Sequence, residues 1–164
     1  MSMIYRDDDV SKDTDLKRFK EIHSLFIKYN VLHTVSLICA GIEKNMPLLK
    51  YLQQQKKAGT LDIQVHAWDH FDFTTNLPQV VIDLPKCVNA IKNFFAGTPD
   101  TLYPPWNKSS PDVEYIAWQN NLRVSNKKIS LSQYLRDVKG EVINWHYWAD
   151  EVNQLEAALK KYTA

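Results

Sequence analysis

The residues best suited to chemistry in this sequence are a run of three aspartates and a pair of histidines. Asp7, Asp8 and Asp9 are consecutive, and three residues separate His66 from His70. Adjacent carboxylates repel one another, so such a run is costly unless a cation or solvent relieves it. One carboxylate and two imidazoles form a ligand set suited to zinc, with positions left for water and substrate. Non-haem iron uses similar ligands, so the set alone does not name the metal.

The elements that would position these residues alternate between short apolar runs and helical patterns. Apolar or β-branched runs predict strands, and apolar residues at helical spacing predict helices between them. Strands are predicted at about 3–7, 33–38, 61–65, 102–103, 122–125 and 141–145. Helices are predicted over 45–59, 77–95 and 111–120. Two further helices are predicted to begin at residue 13 or 14 and at residue 150. Asp13 or Thr14 is expected to cap the first helix and Asn45 the second, and Pro85 is expected to break or kink the third.

This alternating order predicts an α/β fold with a mostly parallel sheet and helices outside it. About six strands suit a distorted or incomplete (β/α) barrel better than a complete eight-stranded one. The length of 164 residues fits one domain over 1–164. Active sites of parallel α/β folds lie at the carboxyl ends of strands. Four of the five informative strand ends carry polar or special residues: Asp7-Asp8-Asp9, His66–His70, Tyr103–Asn107 and His146.

Each of these clusters also has a simpler interpretation when taken alone. The aspartates could form an exposed acidic turn, and the two histidines could be ordinary surface residues. Their occurrence at neighbouring strand ends is what favours a metal site, because the ends of parallel strands meet at one edge of a sheet.

Composition excludes several classes of function. The formal net charge is +1, so no excess of positive charge predicts binding to nucleic acid or to an anionic membrane. No apolar run is long enough to span a membrane, and the first residues do not resemble a signal peptide. We therefore expect a cytoplasmic protein, or a secreted one if a leader has been removed. Cys39 and Cys87 stand among apolar residues and are expected to be buried free thiols rather than a disulfide.

The aspartate cluster at the end of the first predicted strand resembles a motif of the polysaccharide deacetylase family. This family is also called carbohydrate esterase family four or the nodulation-protein-B homology domain. That family ends its first strand in an Asp-Asp pair, and Arg6-Asp7-Asp8-Asp9-Val10 stands in this place. The resemblance implies that Asp8 is the general base and Asp9 a metal ligand. A register that uses Asp7 and Asp8 instead remains open.

The resemblance extends over nearly the whole chain. His66-Ala67-Trp68-Asp69-His70 matches the motif that supplies both metal histidines, although Ala67 lacks the hydroxyl found there. Tyr103-Pro104-Pro105-Trp106 matches the Arg-Pro-Pro-aromatic motif, but without its arginine. The apolar strand ending in His146 matches the last motif. The family's Asp-x-x-Asp-Trp segment has no counterpart, so the chain resembles a divergent, minimal member.

The resemblance implies a hydrolase that removes acetyl groups from N-acetylated sugars or polysaccharides. Zinc, or another divalent transition metal, would be held by Asp9, His66 and His70 and would polarise the amide and acidify a water. Asp8 would accept the proton of that water, the backbone N–H of Trp106 would bind the oxyanion, and protonated His146 would deliver a proton to the leaving amine. Acetate and an amino sugar would be released.

Aromatic residues beside these motifs suit a glycan groove, because ring faces stack on the apolar face of a sugar. We expect Tyr103, Pro105, Trp68 and Trp148 to contact substrate, whereas Trp145 and Trp118 are expected to pack in the core. Two alternatives remain open. The chain could be a glycan-binding module that has lost catalysis, or a metal-dependent hydrolase of another amide or of an ester. The sequence does not indicate a protein partner.

Overall fold

The computed structural model describes residues 3–148 and 152–164. Within these ranges, strands and helices alternate as the sequence predicts, except that β5 is followed directly by β6. The strands are β1 (Ile4–Val10), β2 (His33–Ile38), β3 (Leu61–Ala67), β4 (Thr101–Leu102), β5 (Arg123–Val124), β6 (Ile129–Ser130) and β7 (Val142–Trp145). The helices are α1 (Leu16–Lys28), α2 (Met46–Lys57), α3 (Leu77–Phe95), α4 (Pro111–Gln119), α5 (Leu131–Leu135) and α6 (Val152–Thr163), with short 3-10 turns at Ile42–Lys44 and Pro105–Asn107.

The strands form one sheet in the order β5-β4-β3-β2-β1-β7-β6, and every pairing in it is parallel. The seven strands curl into a half-barrel with helices around it, so the predicted incomplete α/β barrel is confirmed. β1, β2 and β3 are the long central strands, and their near-continuous burial reflects layers on both faces. Because the strands are parallel, the carboxyl ends of β1, β3 and β7 lie at one edge of the sheet.

Local signals explain how two of the helices start. Asp15 caps α1 by accepting hydrogen bonds from the backbone N–H groups of Lys17 and Arg18, so the predicted caps at Asp13 or Thr14 were one or two residues early. The predicted cap of α2 is confirmed, since the Asn45 side chain accepts from the Leu48 N–H. The predicted start of the last helix, at Asp150, lies outside the described residues.

The apolar stripes of α1 and α4 determine which side chains reach the core. Phe19, Ile22 and Phe26 of α1 follow the helical period and are fully buried against the sheet. In α4 the buried residues are Val113, Ile116 and Ala117. Trp118 lies beside this stripe rather than on it and is 69% exposed, so the prediction that it packs α4 on the sheet was wrong.

Three further details differ from the sequence-based prediction. β1 continues to Val10, so the aspartates lie within the strand and not beyond it. α3 runs uninterrupted through Pro85, and the expected break is absent. Val81, whose carbonyl would have accepted from residue 85, is 53% exposed and can be solvated instead. β6 and α5 were not predicted, because two and five residues are too few to show a period.

The state of the two cysteines agrees with expectation. Cys39 and Cys87 are both buried free thiols. Across residues 3–148 and 152–164, none of the helices combines the length and the apolar character needed to cross a membrane.

Candidate metal centre and active site

The end of β1 has an unusual backbone that turns Asp9 toward its neighbours. The β1–β2 register shifts between Asp7 and Val10, which marks an irregularity of the bulge type. Asp9 has a φ of 65°, a left-handed conformation that costs energy for a residue other than glycine. Strain of this kind persists where the surrounding structure imposes it, and it is concentrated at functional sites.

The Asp9 carboxylate meets both histidines of the HxxxH motif. Its Oδ1 atom lies 3.1 Å from His66 Nε2 and 3.2 Å from His70 Nε2. The candidate ligand atoms of these three residues all lie within 4.8 Å of one another, close enough to hold one metal ion. β1 supplies the carboxylate, β3 supplies His66, and the loop after β3 supplies His70. The structure thus brings together a candidate metal-binding triad in which Asp9 is 57 and 61 positions from the two histidines along the chain.

The protonation of His66 makes this triad suitable for a cation. Its Nδ1 atom lies 2.6 Å from the backbone carbonyl of Tyr103, so Nδ1 carries the proton and donates it. In the neutral ring, Nε2 then presents a lone pair toward Asp9. His66 Nε2 and Asp9 Oδ1 are both buried without a hydrogen-bond partner in the described part of the chain. Two facing acceptors are satisfied when a cation lies between them, so the site fits a divalent metal.

The charge of Asp9 favours the same conclusion. Partial burial opposes ionisation of this carboxyl, but hydrogen bonds donated by His66 and His70, which take the place of the cation when no metal is bound, outweigh that effect and hold its pKa well below the ordinary value. Asp9 is therefore ionised at neutral pH. One anionic oxygen ligand and two imidazole nitrogens form a donor set that zinc accepts.

A third histidine approaches the other oxygen of Asp9. His146 Nε2 lies 3.7 Å from Asp9 Oδ2, and the His146 side chain is 30% exposed. It follows β7, which pairs with β1, so the sheet itself brings the two residues together. The position of the next residue, Tyr147, is fixed by a hydrogen bond that its backbone N–H donates to Asp7 Oδ1 at 3.0 Å.

The three aspartates point in different directions and have different partners. Asp7 is fully buried and faces His33, whose Nε2 lies 3.4 Å from Asp7 Oδ2. Asp8 is buried and forms an ion pair with Arg6 at 2.7 Å. Of the three, Asp9 is the one beside His66 and His70. This arrangement favours the register that uses Asp8 and Asp9 over the one that uses Asp7 and Asp8.

Two residues of this network were missed by sequence reasoning. Arg6 and Asn144 each place a side-chain nitrogen 2.7 Å from Asp8 Oδ2. A sequence signal existed for Arg6, because residues two apart on a strand share a face and a buried arginine needs a partner. No comparable signal existed for Asn144, which is 136 residues from Asp8 along the chain.

The four residues predicted to contact substrate, together with the predicted oxyanion residue Trp106, divide into exposed and buried ones. Trp106 and Trp148 are 58% and 59% exposed, with ring centroids 4.4 Å from His70 and 5.0 Å from His146, respectively. Trp106 also has a left-handed φ of 52°. Among the other predicted contacts, Tyr103 and Pro105 are buried, and Trp68 packs partly buried against the core. The open ring surface at the site therefore comes from the two tryptophans.

Several solved structures of carbohydrate esterase family 4 proteins have folds similar to that of this chain. A carbohydrate esterase family 4 (CE4) pseudoenzyme from Bacillus anthracis has a TM-score of 0.83 at 13% identity, over 98% of this chain and 60% of its own. A peptidoglycan deacetylase from Bacillus subtilis has a TM-score of 0.77 at 13% identity, over 99% and 83%. A family 4 carbohydrate esterase from Streptomyces lividans, in complex with acetate, has a TM-score of 0.76 at 15% identity, over 99% and 85%. This chain has the CE4 deacetylase fold.

The CE4 likeness is visible in the structure and not in the overall sequence. No family model and no curated protein matches the chain. At the level of the fold, the resemblance seen in the motifs is confirmed. The chain spans 60% of the length of the B. anthracis pseudoenzyme and 62% of a mutant of it that has restored enzymatic activity. The CE4 fold therefore occurs both with and without catalysis.

Proposed function

We propose that this protein is a metal-dependent hydrolase that removes acetyl groups from N-acetylated carbohydrates. The observation that carries the proposal is the meeting of Asp9 Oδ1 with His66 and His70, where two buried acceptors face each other without a hydrogen-bond partner in the described residues. The CE4 fold supports the same reaction class, since two proteins that share it are named as deacetylases or esterases of carbohydrates.

Asp9, His66 and His70 would hold the metal, and zinc suits this donor set although other divalent transition metals use similar ligands. When bound, the metal would act as a Lewis acid toward the acetamide carbonyl and would make a water acidic. The protein's own groups would then move the protons and hold the developing charge.

Asp8 is proposed as the general base. Its Oδ2 atom is occupied by two donors, whereas Oδ1 has no hydrogen-bond partner among the described residues. A buried carboxylate oxygen that lacks a hydrogen-bond partner in the described chain, on the residue before the triad residue Asp9, is suited to accept the proton of the attacking water. Because an amine leaves poorly without a proton, the acid must be a second group, and His146 beside Asp9 Oδ2 is proposed for that role.

The loop after β4, together with Trp148 after β7, is proposed to bind the oxyanion and the sugar. The backbone N–H of Trp106 would donate to the tetrahedral oxyanion. The exposed rings of Trp106 and Trp148 flank His70 and His146, and their faces suit the apolar side of a pyranose. These rings favour an N-acetylated sugar as the substrate over an unrelated amide or ester.

The test is acetate release from N-acetylated oligosaccharides by protein loaded with zinc. Wild-type protein should release acetate, and Asp8→Asn should lower kcat by about 10²–10⁴-fold, because a positioned base contributes that much. Zinc content measured on both proteins should be equal, since Asp8 is not a proposed ligand. Turnover that is unchanged in Asp8→Asn would remove this residue from the role of base.

A second candidate follows from the pseudoenzyme that shares the fold. The protein could bind a glycan at the same surface without hydrolysing it. Zinc-loaded wild-type protein that retains oligosaccharides in a binding assay but releases no acetate would support this alternative and contradict the enzyme. Release of acid from a panel of simple amides and esters, with none from acetylated sugars, would indicate a different substrate.

A further inference from the structure

The hydrogen bonds of Asp8 are all directed to one of its two oxygens. Arg6 Nη2 and Asn144 Nδ2 both donate to Oδ2, each at 2.7 Å. Asn144 is itself oriented from the other side, because Lys128 Nζ donates to its Oδ1 atom at 2.9 Å. Two donors on Oδ2 restrict rotation of the carboxylate, and the orientation they impose leaves Oδ1 as the oxygen without a partner among residues 3–148 and 152–164.

The same Arg6 nitrogen also reaches the loop after β4. Its second N–H donates to Asn107 Oδ1 at 2.7 Å. Asn107 and the preceding Trp106 have left-handed φ values of 56° and 52°. Two consecutive residues in this conformation need support from surrounding contacts, and the Arg6–Asn107 hydrogen bond supplies one.

The guanidinium is dedicated to these two contacts. Arg6 is fully buried, and its Nε and Nη1 atoms have no hydrogen-bond partner within the described residues, so its hydrogen bonding passes through Nη2. The guanidinium carbon lies 4.7 Å from the ring centroid of Tyr103, which holds the group in place. Tyr103 stands where the resembled motif carries an arginine. In this chain the guanidinium beside that position comes from Arg6 on β1.

We propose that Arg6 is a positioning residue that links the general base to the oxyanion loop. It orients Asp8 so that Oδ1 is free for the proton, and through Asn107 it fixes the loop that carries the Trp106 N–H. This inference rests on the proposed deacetylase function for Asp8 and Trp106. A buried arginine with this geometry thereby aligns two groups that must act on one tetrahedral centre.

The first experiment uses Arg6→Lys, which keeps the charge but cannot donate to both acceptors with one planar group. In zinc-loaded protein, kcat for an N-acetylated oligosaccharide should fall at least tenfold, while KM stays within about threefold because no substrate contact is lost. The shift in unfolding temperature caused by zinc should equal that of wild type. A kcat within twofold of wild type would overturn the role toward Asp8.

The second experiment does not depend on activity. Amide hydrogen exchange at residues 107 and 108 should be at least tenfold faster in Arg6→Lys than in wild type, because the loop loses its tether. Asn107→Gly should exchange as fast as Arg6→Lys, since glycine tolerates the left-handed backbone but offers no acceptor. Asn107→Asp should keep the slow exchange, because it retains the acceptor and tolerates this φ.

These readouts separate the two proposals. Equal exchange in Asn107→Gly and Asn107→Asp would overturn the tether, and these loop variants decide this even if Arg6→Lys fails to fold. Wild-type protein that releases no acetate contradicts the proposed function, and the role of Arg6 toward the base falls with it. The role of the Arg6–Asn107 hydrogen bond in holding the loop would then be tested by the exchange rates alone.

Discussion

At the scale of single residues, the site depends on how the carboxylate of Asp9 is used. His66 and His70 approach Oδ1, and His146 approaches Oδ2. The Tyr103 carbonyl accepts a hydrogen bond from the Nδ1–H group of His66, which leaves Nε2 as an acceptor. A backbone carbonyl therefore sets the tautomer of a candidate ligand, which is a common arrangement around metal histidines.

Zinc should stabilise the folded chain through these residues. With zinc at 100 times its dissociation constant, the free energy of unfolding should rise by about 2.7 kcal/mol if zinc binds the folded state alone. His70→Asn should lose most of this increase, because it removes one of three ligands. Thermal unfolding with and without zinc measures the effect.

The matched control for the zinc experiment is Asp13→Asn. The Asp13 side chain is 80% exposed and pairs with Lys12, so its loss removes one negative charge outside the triad. This variant should keep the full zinc effect. A zinc effect that is equal in His70→Asn and Asp13→Asn would contradict the triad and would indicate nonspecific binding to surface carboxylates.

At the scale of elements, α1 and β2 are joined by a buried pair of histidines. His23 Nδ1 on α1 lies 3.0 Å from His33 Nδ1 on β2, and His23 Nε2 lies 3.1 Å from Thr60 Oγ1. His33 also stacks on Phe26, with ring centroids 4.1 Å apart. Neither ring was assigned chemistry from the sequence, and the structure gives both a packing role.

This pair should make the fold sensitive to mild acid. Burial lowers the pKa of His23 to about 4, and burial together with His23 lowers the pKa of His33 well below its ordinary value. The unfolded chain, with a histidine pKa of about 6.5, therefore binds protons first as the pH falls. The contribution of His23 is complete above about pH 6.5 and is lost as the pH falls toward 4, by about 2 kcal/mol at pH 5.

The measurement is the free energy of unfolding by urea at pH 7.5 and at pH 5. His23→Gln keeps a donor and an acceptor but does not titrate in this range, so it should lose about 2 kcal/mol less than wild type between the two pH values. An identical loss in both proteins would show that His23 does not contribute to the acid sensitivity.

At the scale of the whole molecule, the half-barrel packs its core between the sheet and the surrounding helices. Trp145 on β7 is 1% exposed and lies against Phe26 and His33, whereas Trp118 on α4 is 69% exposed and stacks on Tyr115. The two tryptophans thus have opposite environments, although the sequence suggested a core position for both.

Substitution of these two tryptophans should change the free energy of unfolding by different amounts, because one ring is in the core and the other is on the surface. Trp145→Ala should lower the free energy of unfolding by about 3–5 kcal/mol, because it leaves a large cavity. Trp118→Ala should change it by no more than about 0.5 kcal/mol, as is usual for exposed positions. Urea unfolding measures both, and a loss above about 2 kcal/mol in Trp118→Ala would show that this ring is packed in solution.

The sequence by itself determined the alternation of strands and helices and the places where chemistry collects. Both are local properties: hydrophobic periodicity reports which element forms, and a carboxylate or an imidazole keeps its chemistry in any context. Short elements escaped this reasoning, as β6 and α5 did. A local signal for α5 was present in the capping box formed by Ser130 and Gln133.

Only the tertiary structure decided which aspartate faces the histidines, which groups hold Asp8 and which tryptophans are exposed. One step along a strand reverses the side chain, and the irregularity at Asp8 and Asp9 with its left-handed φ breaks even that rule. The contacts of Asp8 with Asn144, and of Arg6 with Asn107, join residues 136 and 101 positions apart. Such pairings arise from the curvature and order of the sheet, which no local pattern encodes.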